Sequence, residues 1–272
     1  MRASQRSHPL QEMISAIQAR GGHQLLVAVA FDGVLTKYAR RPDSVNLTSE
    51  QCDALLALGR RPDTSLALIS GRRIDDLGAR AHLGDAVYYV GLHGLEISGP
   101  DFVARDCEAI DAACHRVHDL AETVTGALSS TAGVLVENKE AAIAVHTRDA
   151  DDDDAVWARI HLLSAAAELV RRDELRVVRG NHVMELLPNV AAPRARAIRW
   201  IRQHLQQRVT QPVFTVYIGE DVPDDDAVEA VTEDGISAVV GRRRRGALYH
   251  LRSPADVWQF IDLVTAARPH AA

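Results

Sequence analysis

The stretch at residues 25–35, LLVAVAFDGVL, constrains this chain more than any other. Its apolar run from Leu25 to Phe31 shows no polar alternation and stops at Asp32-Gly33. A strand covered on both faces reads this way. A carboxylate and a glycine turn at its carboxyl end belong to the edge where α/β sheets hold ligands. Strand-like runs at 65–69 and 213–218 also end in turns rich in polar residues, Ser70-Gly71-Arg72 and Gly219-Glu220-Asp221.

The rest of the amino-terminal part alternates in the same style. Helices are expected over 9–20, closed by Gly21-Gly22, then after Thr48 through about 58, and over 74–81. Ala54, Leu55 and Leu58 define the inner face of the second. A third strand is expected at 86–90, followed by GLHGLEI at 91–97. The spacing is that of right-handed β-α-β units, a parallel sheet with helices on both faces.

At 106 the pattern changes. A long helix to 128 leads into short strands at 134–137 and 142–147. A helix over 151–170 carries Val156, Ile160, Leu163, Ala167 and Val170 on one face. A hairpin at 175–178 and 182–186 turns through Arg179-Gly180-Asn181. This is an α+β module, read as an inserted cap over 106–187, with 1–105 and 188–272 forming the core. From Pro193 the alternation resumes. A helix carries Ile198, Ile201 and Leu205, with strands at 213–218 and 236–240 and a helix at 223–231. A short edge strand at 249–251 and a final helix at 254–265 complete it.

Composition narrows the function. The net charge is −6 with a pI near 6.0, which argues against a nucleic-acid binder. The run at 242–245 of four arginines is read as a solvated loop, and the aspartates at 151–154 as a helix start. Cys52, Cys107 and Cys114 make no C-x-x-C pair. Their odd number, with no apolar run long enough for a membrane span and no signal-peptide core, leads to an expected cytoplasmic location with no membrane partner.

Eight positions could carry chemistry in the core. Asp32 is either a turn residue or a working carboxylate, and it points the same way as residue 30, two positions earlier. Ser70 offers a hydroxyl and its turn offers amides, as phosphate donors, as a helix cap, or as both. Arg194 is a cation in the first turn of its helix, beside Ala195. Glu220 and Asp221, with Asp224 to Asp226, crowd one turn and repel each other unless solvent or a cation intervenes. A hard Mg²⁺ suits such a cluster.

Together the segments LLVAVAFDGVL, LALISGR, Pro193-Arg194 and YIGEDVPDDDA resemble the four motifs of the haloacid dehalogenase superfamily, and most closely those of the trehalose-6-phosphate phosphatases. The resemblance covers about 25–261. It implies a Rossmann-like parallel sheet core with an inserted α+β cap and Mg²⁺-dependent dephosphorylation of trehalose 6-phosphate. Asp32 would be the acid/base and a metal ligand through its carbonyl, Ser70 and Arg194 would meet the phosphate, and Glu220, Asp221 and Asp224 would serve the metal. Arg72 with Glu137, Lys139, Arg148 and Glu185 would bind substrate, the cap residues meeting sugar hydroxyls. Surface ion pairing is the other reading of Glu137 and Lys139. His93 to Glu96, HGLE, also matches and is read as local scaffolding.

The departures are informative. The family reads DFDGT where this chain reads AFDGV, so Ala30 occupies the nucleophile position. Arg194 stands for lysine, Ala195 for glycine, Glu220 for the first metal aspartate and Pro223 for threonine. Loss of residue 30 alone would not bring Val34 and these others with it, which favours divergence. Turnover is therefore expected to be strongly impaired. The alternative is an inactive relative that binds a sugar phosphate or a partner protein.

Overall fold

The computed structural model describes residues 9–39, 41–105, 107–231, 235–243 and 246–267. The apolar run before Asp32 forms β1 after a first helix. The elements are α1 (Pro9–Gln18), β1 (Gln24–Ala30), α2 (Ser49–Gly59), β2 (Thr64–Ile69), α3 (Ile74–Ala81) and β3 (Tyr88–Gly91). They continue with β4 (Glu96–Gly99), β5 (Phe102–Arg105), α4 (Cys107–Leu128), β6 (Leu135–Asn138), β7 (Ile143–His146) and α5 (Asp152–Arg171). Then follow β8 (Leu175–Gly180), β9 (Val183–Pro188), α6 (Pro193–Gln206), β10 (Val213–Gly219), α7 (Asp225–Val231), β11 (Gly235–Val240), β12 (Tyr249–Leu251) and α8 (Pro254–Ala267).

Contacts divide the described chain into two units. The first draws on 1–103, 194–220 and 224–272, and the second on 104–193 with 221–223. In the first, an eight-stranded sheet runs β12-β11-β10-β1-β2-β3-β4-β5, with β12 through β3 parallel. Every residue of β1 is buried, because helices cover both faces. Leu25, Val27 and Val29 pack with α1, α2 and α8 through Met13, Leu55 and Phe260. Leu26 and Ala28 pack with α6 and α7 through Ile198, Ile201 and Val228. Period-two alternation thus divides one apolar run between two cores.

Local signals set the helix starts. Thr48 accepts from the Gln51 amide, and the Gln51 side chain accepts from the Thr48 amide. This reciprocal capping contributes about 1 kcal/mol. Of the residues expected inside α2, Leu55 and Leu58 are buried, with Cys52 rather than Ala54 completing the face.

The sheet departs from a purely parallel one. β4 pairs antiparallel with β3, joining Val90 to Ile97, and β5 follows on its edge. These two strands are four residues each, too short to show a period in the sequence. β3 begins at Tyr88, since residues 84–86 form a 3₁₀ turn. The helix expected from Pro223 begins at Asp225, after a 3₁₀ turn over 222–224.

The second unit is a four-stranded antiparallel sheet, β6-β7-β9-β8, with α4 and α5. The face that α5 buries differs from the expected one. Ala155, Ala158, Leu162 and Ala166 are buried, while Val156 and Ile160 are half exposed. A stripe of small residues packs closer than branched ones, and close approach wins over hydropathy. Asp151 caps this helix by accepting from the Asp154 amide. No described helix is long and apolar enough to cross a membrane. Asp106, Arg244 and Arg245 lie outside the described residues.

Candidate active site

Strand register brings the core candidates to one edge. Ala30 pairs with Ile69, and Val29 with Ile218, so the turns after β1, β2 and β10 open side by side. Ala30 ends β1 and is buried. Beyond it the chain turns at Gly33, whose φ of +78° is a left-handed geometry that glycine adopts without strain. A Cβ there would also strike the Glu220 carboxylate and lie 2.7 Å from the Tyr38 ring.

Asp32 is held by the neighbouring turn. Arg72 donates from Nη2 to Oδ1 at 2.8 Å and from Nε to Oδ2 at 3.0 Å. Ser70 Oγ donates to Oδ2 at 3.1 Å while accepting from the Arg72 amide. Ser70 therefore does not cap α3, whose N-cap is Arg73. Arg72 also reaches Asp76 at 2.9 Å and the Pro42 carbonyl at 3.0 Å. Burial alone would pull Arg72 down, but Asp32 and Asp76 outweigh it and hold the guanidinium above its ordinary value.

Arg194 is buried rather than solvated. Its Nη1 bonds Asp224, and Nη2 approaches His93 Nδ1 at 3.0 Å. A guanidinium only donates, so His93 Nδ1 accepts and its proton is on Nε2. Asp224 Oδ1 also accepts from Tyr217 at 2.5 Å, and Oδ2 from the Glu220 amide at 2.9 Å. Burial, and then Asp224, push the Tyr217 phenol well up, which keeps it a donor. Burial opposes the Arg194 charge, yet Asp224, Tyr217 and Asp226 together raise its pKa. Asp226 accepts from the Ala195 amide at 3.3 Å, near the start of α6. Glu220 accepts from the Tyr38 hydroxyl.

His93 links the two groups. Its amide donates to the Ser70 carbonyl at 3.0 Å, and its ring lies against Gly71, where a Cβ would fall 2.7 Å from Cε1. Glu96 accepts from the Ile74 amide at 3.1 Å, serving the start of α3. Ala30, Asp32, Ser70, Arg72, Arg194, Glu220 and Asp224 thus share one edge, together with Tyr38, His93 and Tyr217. Sequence reasoning missed the two tyrosines. Tyr38 lies in an unpatterned loop, and Tyr217 looked like part of an apolar strand. His93 was visible only as part of HGLE.

Mg²⁺, implied by the resemblance, can be tested against these donors. Asp32 gives both oxygens to Arg72, Asp224 gives both to Arg194, Tyr217 and an amide, and Glu220 is bonded by Tyr38. The side chain of residue 30 offers no oxygen. Asp221 groups by contact with the second unit and accepts from the Val222 amide at 2.7 Å. Among the described residues, no three His, Cys, Asp or Glu side chains gather to hold a metal ion. So arranged, the side chains do not fit a resident Mg²⁺, which needs near-octahedral oxygens.

The second unit has its own polar cluster. Glu137 and Glu185 both face Ala144 across the sheet. Lys139 Nζ donates to Glu185 at 3.2 Å and lies 3.9 Å from Glu137. His146 Nε2 meets Glu137 at 2.8 Å. Burial would raise the Glu137 carboxyl, but His146 and Lys139 hold it below the ordinary range. Lys139 and Glu185 are buried, unlike a surface ion pair. Arg148 instead donates to the Asn181 carbonyl at the β8–β9 turn.

Comparisons with known proteins agree in direction. The trehalose-phosphatase family model matches residues 28–247. Trehalose-phosphate phosphatase of Mycobacterium marinum (strain ATCC BAA-535 / M) is 32% identical over 263 residues, covering 92% of this chain and 65% of that protein. The chain thus spans 65% of the length of that curated relative. Among solved structures, the C-terminal domain of C. albicans trehalose-6-phosphate phosphatase superposes with a TM-score of 0.80 at 18% identity, over 94% of this chain and 96% of that one. The C-terminal domain of Candida albicans trehalose synthase regulatory protein superposes with a TM-score of 0.68 at 12% identity, over 92% and 98%. At these identities both likenesses concern the fold.

Proposed function

The chain belongs to the trehalose-phosphatase family and has the haloacid-dehalogenase-type fold, and from that premise we propose that it binds trehalose 6-phosphate while hydrolysing it only poorly. The observation that carries this reading is Ala30. It ends β1 at the edge where Asp32, Ser70 and Arg194 are gathered, and alanine has no oxygen with which to form an acyl phosphate. Covalent catalysis divides one hard displacement into two easier ones, and that route is lost.

Asp32 does not replace it. Both oxygens of its carboxylate are already engaged, by the Arg72 fork and the Ser70 hydroxyl. What remains for hydrolysis is attack by water, with charge supplied by Arg72 and Arg194. Positioning and charge alone leave a residual rate about 10³-fold or more below an intact site. Binding is less affected. Glu137, Lys139 and Glu185 supply charged groups for sugar hydroxyls, each carboxylate accepting from more than one. We assign the sugar to these residues with Arg148, and the phosphate to Ser70, Arg72 and Arg194.

Two measurements test the reading. The family resemblance implies Mg²⁺, so release from trehalose 6-phosphate is assayed with and without it. Thermal stabilisation by the same compound is followed in parallel. Stabilisation with little release is expected, and Ala30→Asp should raise the release. Turnover of the unchanged chain at an ordinary rate of about 1–10³ s⁻¹ would contradict the proposal. The absence of both release and stabilisation would favour a protein-binding role, a reading that the lost nucleophile at Ala30 supports.

A further inference from the structure

We propose that this site takes its phosphorylated ligand without a divalent cation, Arg72 and Arg194 supplying the positive charge a metal would bring. The inference rests on the sugar-phosphate reading above and asks how that ligand is held.

A metal at such an edge does two things. It neutralises the acids crowded there, and it offers phosphate oxygens a cation. Arginine fills both tasks at Asp32 and Asp224, while Asp226 Oδ1 is buried with no hydrogen-bond partner among the described residues. Arg72 takes Asp32 by a two-point fork, 2.8 Å to one oxygen and 3.0 Å to the other, with Ser70 as a third donor. Arg194 takes Asp224, which Tyr217 and the Glu220 amide also bond. Glu220 keeps its bond from Tyr38. Two buried guanidiniums stand against Asp32, Asp76 and Asp224, with Glu220 and Asp226 close by, and residue 30 adds no further carboxylate.

An entering Mg²⁺ that took the Asp32 or the Asp224 carboxylate would have to separate one of these pairs. That leaves a buried guanidinium without its anion beside a dication, the costly way to break a buried pair. Position 30, which could have offered an oxygen with no pair to break, carries a methyl group. A phosphate ester makes the opposite demand, since it needs donors. Arg194 has one to spare: its buried Nε–H has no acceptor among the described residues. Arginine also suits phosphate better than a point charge, because its planar N–H groups match paired oxygens.

The test is calorimetry on the whole protein. Trehalose 6-phosphate is titrated in EDTA and in millimolar Mg²⁺, and Mg²⁺ and Mn²⁺ are titrated alone. Affinities agreeing within about threefold between the two buffers, with no saturable metal binding, are expected. Affinity that rises by about tenfold or more with Mg²⁺, or saturable binding of either metal alone, overturns the inference and leaves the sugar-phosphate reading standing. No binding in either buffer overturns both. Arg72→Met frees the Asp32 oxygens, so its binding should weaken in EDTA and recover with Mg²⁺. A folded Arg72→Met that binds like the wild type in EDTA also overturns the inference, and if it does not fold the wild-type titrations decide.

Discussion

A planar guanidinium is useful only when its fork is aimed, whereas an ammonium is not oriented in this way. Arg194 is aimed from two sides, by Asp224 at Nη1 and His93 at Nη2. His93 is itself fixed by its left-handed backbone (φ 56°) and by Gly71 beneath its ring. His93→Phe would leave a buried N–H of Arg194 without an acceptor, which costs about 1–3 kcal/mol. Gly71→Ala should also destabilise, because its Cβ would press on the imidazole. If both act through that ring, Gly71→Ala should cost clearly less in a His93→Ala background. Urea unfolding of the four proteins checks this, and additive losses would show that Gly71 acts through something else. The sequence exposed Asp32, Ser70 and Arg194 because each follows a readable strand or opens a readable helix. It could not expose that His93 faces Arg194, since residues 101 positions apart meet only through the fold.

At the scale of elements, hydropathy placed α5 correctly but rotated it about its own axis. Val156 and Ile160 read as inner residues because they are apolar at helical spacing. The helix turns Ala155, Ala158, Leu162 and Ala166 inward instead. Periodicity reports that a stripe exists, and packing distance decides which of two neighbouring stripes faces the sheet. The consequence is measurable. Ile160→Lys should change stability by about 0.5 kcal/mol or less, as at other surface positions. Leu162→Ala should cost about 2–5 kcal/mol, as in other packed cores. Equal losses in chemical denaturation, or a larger one for Ile160→Lys, would restore the orientation read from hydropathy. β4 and β5 failed differently. Four residues hold two periods of a strand, too few to stand out beside the glycines at 94 and 99.

At the scale of the whole molecule, chain order and spatial order part company at β1. Its two neighbours are β2, which follows it, and β10, which arrives only after the second unit has been made. The first unit therefore cannot be completed by residues 1–103. Within that fragment the buried strand β1 would have an open edge from Gln24 to Val29, where β10 belongs, and an open apolar edge pairs with other chains. The second unit is almost one continuous segment. Its interior residues, including Ile110, Val117, Val124, Ile143, Val145, Leu162 and Leu186, all come from within it. A segment of about 90 residues exceeds the length below which a core usually needs disulfides or metals. Residues 104–193 expressed alone should melt cooperatively by circular dichroism, and residues 1–103 should aggregate or stay unfolded. A version joining 103 to 194 by a short flexible linker should recover the fold of the first unit, because it returns β10 to the edge of β1. If 104–193 were unfolded while the joined core folded, the second unit would draw its stability from the first. The binding proposed for Glu137, Lys139 and Glu185 of the second unit could then be read only in the intact chain.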